Sequence, residues 1–228
     1  TWEALRLMVG QRRVHTLPIE EIGRERGGWC WACSPYPGNH ETMVTLDGLR
    51  GNKGGRFSPH ETARAVEQVL EAVSAAHADR IVHGAIRESE IVVNPRGSLF
   101  IELYGLRERI RVSGRAEETG QDEVRSVAAL AWTLLTGIDT SEMEVFSGRV
   151  GRAVDRRWMQ WIERGLDPIM GYNDVCEAIE ALPDNSPLSA EFPAGGARGL
   201  LGRLSSAVVP RKEIGGGWSR KKPGQGGL

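Results

Sequence analysis

Cysteine is scarce in this chain and odd in number: Cys30, Cys33 and Cys176 are all that its 228 residues hold. Three cysteines cannot build a disulfide framework, so a reducing, cytoplasmic setting is expected. Long hydrophobic runs are missing too, and none approaches the eighteen or so apolar residues that a membrane-crossing helix needs, so no membrane span is expected. There is no charged-then-apolar leader, and the chain opens at Thr1 instead of Met, as a trimmed or processed N-terminus would. The five histidines and three cysteines have no zinc-type spacing, and no metal or cofactor is expected.

What is present is ordinary for one globular core plus an appendage: 40% hydrophobic and 26% charged residues in 25.0 kDa. The net charge of −1 hides an asymmetry, because residues 184–228 carry seven Lys/Arg against three acids and leave the body at −5. Trp2, Leu5, Met8 and Val9 fit one face of a helix over 2–12 that fades at Gly10. Alternation to Ile22, a turn at 26–28 and the run Trp29 to Cys33 read as a β-hairpin, closed off by Pro35 and Pro37. A short helix fits 41–49. Ser58-Pro59-His60-Glu61 is a helix start with its cap, first-turn proline and capping-box acid in order, and the helical period lasts to about Ala78. Ile91-Val92-Val93 and Leu99-Phe100-Ile101, parted by Asn94-Pro95-Arg96-Gly97, form a second hairpin. The most apolar helix spans 122–136 and stops at Gly137. Further helices fit 141–146, 154–165 and 172–182, and from Pro183 the glycine- and proline-rich composition predicts an extended tail.

That order, together with four local patterns, resembles the larger lobe of a protein kinase. His83-Gly84-Ala85-Ile86-Arg87-Glu88-Ser89-Glu90-Ile91 is similar to the family's catalytic loop, H-R-D-L-K-P-E-N-I. Leu99 to Leu106 is similar to the strand that ends in D-F-G. Val124 to Gly137, with its final Leu-Leu-Thr-Gly, resembles the family's buried central helix, and Gly165-Leu166-Asp167-Pro168 matches the link between the last two helices. The resemblance implies an α+β, protein-kinase-like fold. Its parts would be a reduced β-containing small-lobe remnant over 1–38, a mainly α-helical larger lobe over 39–183 and a basic tail over 184–228.

At the functional positions the family pattern is broken. The resemblance places Ala85 where an aspartate accepts the substrate proton, Glu90 where an asparagine holds magnesium, and Leu103 where the D-F-G aspartate holds it. Alanine and leucine offer no lone pairs to a proton or a cation. His83 is expected to brace the loop, Arg87 keeps a positive charge, and Gly105 retains the glycine of the motif. Glu102, one residue before Leu103, is expected to face the other way along a strand. The glycine-rich loop and its lysine are expected upstream of Thr1. About fifteen residues separate Gly105 from the central helix, without the A-P-E motif, and the arginine that would pair with its glutamate is replaced near Gly171.

These departures imply a chain that is not an enzyme: a catalytically inactive scaffold or adaptor that binds protein partners inside a larger complex, with the tail as docking arm. An atypical ATP-binding phosphotransferase or nucleotide-responsive regulator is the alternative. Candidate partner-binding residues are Trp158, which is not expected to turn inward together with Trp161 on one helix, and Leu200, Leu201, Leu204, Arg211, Lys212 and Trp218 of the tail. Nucleic acid is not favoured, because Trp218 is the tail's only stacking aromatic. Cys30-Trp31-Ala32-Cys33 has redox spacing, but in a strand its two thiols face opposite sides, so a packing role is expected.

Overall fold

The computed structural model describes residues 1–38, 43–110, 119–142 and 154–183. Helix α1 covers only Trp2–Arg6, capped at Leu7, and the chain then turns through Gly10, whose φ of +75° is left-handed. Strands β1 (Glu21–Arg24) and β2 (Cys30–Cys33) pair antiparallel as the first hairpin, with Gly23 opposite Trp31. Strand β3 (Val44–Thr45) was not foreseen. It joins β4 (Ile91–Val93) and β5 (Leu99–Ile101) in a three-stranded antiparallel sheet, and the expected helix near it begins late, as α2 (Leu46–Asn52). The segment around Thr16 ties the N-terminal part to this sheet, since Leu17 N–H donates to Ile101 O and Ile101 N–H to His15 O, each at 2.9 Å.

Helix α3 runs over Pro59–Ala78, as its start signal demands. Ser58 Oγ accepts from Glu61 N–H, and the Glu61 carboxylate accepts from Ser58 N–H at 3.0 Å. The β4–β5 turn is held by Asn94 Oδ1, which accepts from the N–H groups of Arg96 and Ser98 at 2.9 Å each. After a one-turn helix α4 (Leu106–Arg109), helix α5 (Gly120–Thr136) crosses the middle of the molecule and ends on left-handed Gly137. Helices α6 (Arg156–Leu166) and α7 (Val175–Glu180) follow, both shorter than their periodicity suggested. Near the expected 141–146 helix the structure has a single 3-10 turn at Thr140–Glu142, and residues 143–146 lie outside the described residues.

The main core is where α3, α5, α6 and α7 meet. Val66, Val69, Leu70 and Val73 of α3 face Val127, Leu130 and Leu134 of α5, all essentially buried, and each such side chain is worth about 1.5–3 kcal/mol relative to exposure. Helices α5 and α6 approach closely because Gly165 has no side chain: a Cβ there would stand 2.5 Å from Ala128 Cβ. Trp158 and Trp161 are both buried, at 1% and 2% exposure, which corrects the expectation that one must face out. Trp161 donates to Ala178 O at 3.0 Å and packs against Tyr172, and Trp158 meets it edge-on with ring centroids 5.8 Å apart. A broad stripe three residues wide suffices for both indoles, and Trp158 offers no surface to a partner. A smaller cluster of Leu5, Met8 and Ile19, joined by Ile22, Cys30 and Leu106, holds the first hairpin to α1. Among the described residues no helix is long and apolar enough to cross a membrane.

Candidate functional site

The loop between α3 and β4 is anchored from below by one buried acid. Glu123, in the first turn of α5 and fully buried, takes three donors: His83 N–H at 3.2 Å, His77 Nε2 at 2.8 Å, and the Tyr104 hydroxyl. Burial, and next the Glu123 charge, push the Tyr104 phenol far above its usual range, so it stays a donor. His83 is buried between this acid and the loop. Its Nδ1 accepts from Gly105 N–H at 3.0 Å, which fixes Nε2 as the protonated nitrogen of the neutral ring. Burial lowers the His83 pKa, only partly opposed by Glu90 and Glu123. Ile86 N–H donates to Ser126 Oγ, and Arg50 of α2 grips Glu88 with Nε–Oε1 at 2.8 Å and Nη2–Oε2 at 3.0 Å. The loop is therefore tied to α2, α5 and the turn after β5.

Glu90 ends the 3-10 turn Glu88–Glu90 and stands half-buried at the open end of this scaffold. Its carboxylate accepts from Arg87 N–H at 3.1 Å, faces His83 Nε2 at 3.5 Å, and pairs with the Arg107 guanidinium, which also donates to Ala85 O at 2.9 Å. Arg107 thus bridges the loop to α4. Its role was not legible, because nothing in its local sequence points back across the turn. The Arg87 side chain itself is exposed.

Glu102 departs from the expectation. Regular β5 pairing ends at Ile101, so strand alternation no longer applies beyond it. Instead Glu102 N–H donates to Glu90 O at 2.8 Å, and burial followed by the Glu90 charge raises the Glu102 carboxyl above its usual value. The two acids share one neighbourhood. Leu103 follows with a φ of +48°, rare for a branched side chain, and is 39% exposed beside them. Among the described residues no group of three or more His, Cys, Asp or Glu side chains is arranged to hold a metal. Two carboxylates are too few for a protein-only Mg²⁺ cage, and substrate phosphates and water would have to complete the shell.

Part of the sequence that carries this loop and hairpin architecture is similar to proteins of known name. The likeness is to protein kinases. A stretch of 106 residues is 30% identical to a probable serine/threonine-protein kinase of Bifidobacterium longum, covering 38% of this chain and 14% of that protein. A stretch of 109 residues is 28% identical to a serine/threonine-protein kinase of Yarrowia lipolytica, covering 45% of this chain and 15% of that protein. The chain therefore spans less than a fifth of the length of these relatives. No protein-family model matches it. The similarity and the mixed helix-and-sheet architecture agree on a kinase-like fold at the coarse level. They also correct the expectation that the chain is not an enzyme, because both relatives carry the names of kinases.

Of the other sequence candidates, Cys30 is half-buried and Cys33 exposed, so packing accounts for the first thiol only. Leu200, Leu201, Leu204, Arg211, Lys212 and Trp218 lie outside the described residues, as does the whole tail.

Proposed function

We propose that residues 39–183 form the larger lobe of a kinase-like, nucleotide-responsive module of atypical phosphotransferase type, with 1–38 as part of a smaller lobe and 184–228 as an appended arm. The observation that carries this reading is that Glu102 follows β5 with its backbone N–H on Glu90 O, which puts two acids close enough at a rigidly braced loop for the Glu90 charge to raise the Glu102 carboxyl. A nucleotide-bound Mg²⁺ would give the two carboxylates the positive charge that relieves their repulsion, and it would supply charge neutralisation at the transferred phosphoryl group. The chain's own residues hold the pair in place: Glu123 and His83 fix the loop, and Arg107 guards Glu90 until a stronger cation competes for it. Ala85 and Leu103 add no ligand.

A thermal-shift titration with ATP and Mg²⁺ tests this. A ligand at 100 times its dissociation constant stabilises the folded state by about 2.7 kcal/mol. A saturable rise in Tm that needs Mg²⁺ and disappears in Glu90→Ala and Glu102→Ala supports the reading, and an unchanged Tm at millimolar nucleotide counts against it.

Protein binding is the second element of the proposal, supported by Ile169 and Met170, which are 87% and 72% exposed. Asp167 Oδ1 accepts from both of their N–H groups, at 2.7 and 2.9 Å, so the turn presents two large apolar side chains on a fixed backbone. The arm, with Leu200, Leu201, Leu204, Arg211, Lys212 and Trp218, would extend that contact whenever it is not held against the chain's own body, and the three thiols favour a cytoplasmic setting.

A further inference from the structure

The first hairpin has two unlike faces. Ile22 and Cys30 point inward to Leu5, Met8 and Ile19. By strand alternation Glu21, Gly23 and Glu25 share the outer face with Trp29, Trp31 and Cys33. Cross-strand neighbours there are Glu21 with Cys33, Gly23 with Trp31, and Glu25 with Trp29, the last joined by Glu25 N–H to Trp29 O at 2.9 Å. The Trp31 indole lies flat across Gly23, where a Cβ would fall 2.1 Å from ring carbons, so glycine is what lets the ring cover the strand. Trp29 is 77% exposed and Trp31 44% exposed. Neither Glu21 nor Glu25 has an ion-pair partner among the described residues, and both are exposed.

Two uncovered indoles between two unpaired carboxylates suit a guanidinium or ammonium group, which gains from the ring face and the acid together. We propose that this face is a docking site for the chain's own basic segment, residues 198–222, which lies outside the described residues. Charge complementarity carries the choice of occupant. That segment holds seven Lys/Arg and one acid, while residues 1–183 are net negative at −5. Length allows it. Pro183 and Lys221 are 38 residues apart, and a glycine-rich stretch of that length would span about 35 Å root-mean-square if unstructured, close to the ~40 Å diameter expected for a body of this size. A tether matched to its span gives millimolar effective concentration, so contacts that would be weak between separate molecules are occupied within one. The proposal rests on the exposure and charge of the hairpin face and stands apart from the nucleotide reading.

The test is carbodiimide coupling of the full chain at low ionic strength, with cross-links mapped by mass spectrometry in the monomer fraction. Lys212, Lys221 or Lys222 is expected to couple to Glu21 or Glu25 in preference to other exposed acids such as Glu67 and Glu180. The coupling is expected to fall about two- to fivefold in Trp29→Ala, which keeps both carboxylates and loses only an exposed ring, and to vanish in 0.5 M salt, where screening is short-ranged. An unchanged Tm for Trp29→Ala shows that the hairpin survives. The proposal is overturned by an absence of such links, by equal coupling to Glu67 and Glu180, by links found only in a dimer fraction, or by Trp29→Ala leaving the yield intact.

Discussion

Replacing Glu123 by alanine probes the anchor on which the whole loop stands. The substitution leaves His83 N–H and the Tyr104 hydroxyl buried without an acceptor, while His77, 20% exposed, can turn to water. Each buried orphaned donor costs about 1–3 kcal/mol, and with the cavity the loss comes to about 3–5 kcal/mol. For a chain of this length that corresponds to a fall in Tm of roughly 6–20 °C. Glu123→Gln keeps one oxygen for the two buried donors and should cost about 1 kcal/mol. Thermal unfolding followed by far-ultraviolet circular dichroism separates the three proteins. If Glu123→Ala lies within 1 kcal/mol of the parent, the desolvation of a buried carboxylate cancels its hydrogen bonds and the anchor reasoning fails.

Three further outcomes follow from the same structure. Leu103→Gly should raise stability by about 1 kcal/mol by relieving the left-handed backbone, and a lower denaturation midpoint would show that the leucine side chain matters more than its φ. Gly165→Ala should cost about 1–3 kcal/mol, because the added methyl forces α6 away from Ala128, and a neutral result in urea unfolding would mean the helices can part freely. Glu102 has a folded pKa raised above its ordinary 4.5, so the folded state holds its proton longer and stability falls as pH rises through that window. Glu102→Gln should therefore be more stable than the parent at neutral pH, with the advantage shrinking towards zero near pH 4, and paired melts showing the same difference at both pH values would refute this.

How much of this was written in the chain differs by element. Helix α3 and the β4–β5 hairpin were legible because their signals are local: Ser58, Pro59 and Glu61 cap one, and Asn94 and Gly97 turn the other. Strand β3 was not, since two residues carry no period and Val44 and Thr45 are extended only because β4 receives them. Trp158 and Trp161 were misjudged because the helix was weighed alone, without the closeness that Gly165 gives its approach to α5. The positions 83, 85, 87, 90, 103 and 105 were found by resemblance, yet two determinants of the site were not. Glu102 was set aside by extending strand alternation one residue past the end of β5, and Arg107 reaches Glu90 across a turn that no local spacing encodes.

The claim that Glu90 and Glu102 act together on a nucleotide-borne cation is met most directly by electron paramagnetic resonance of Mn²⁺ with ATP. The full chain should broaden the Mn²⁺ signal only when nucleotide is present, with the effect lost in either Glu90→Ala or Glu102→Ala. A spectrum identical to that of free Mn²⁺·ATP, or an effect that survives both substitutions, would contradict it.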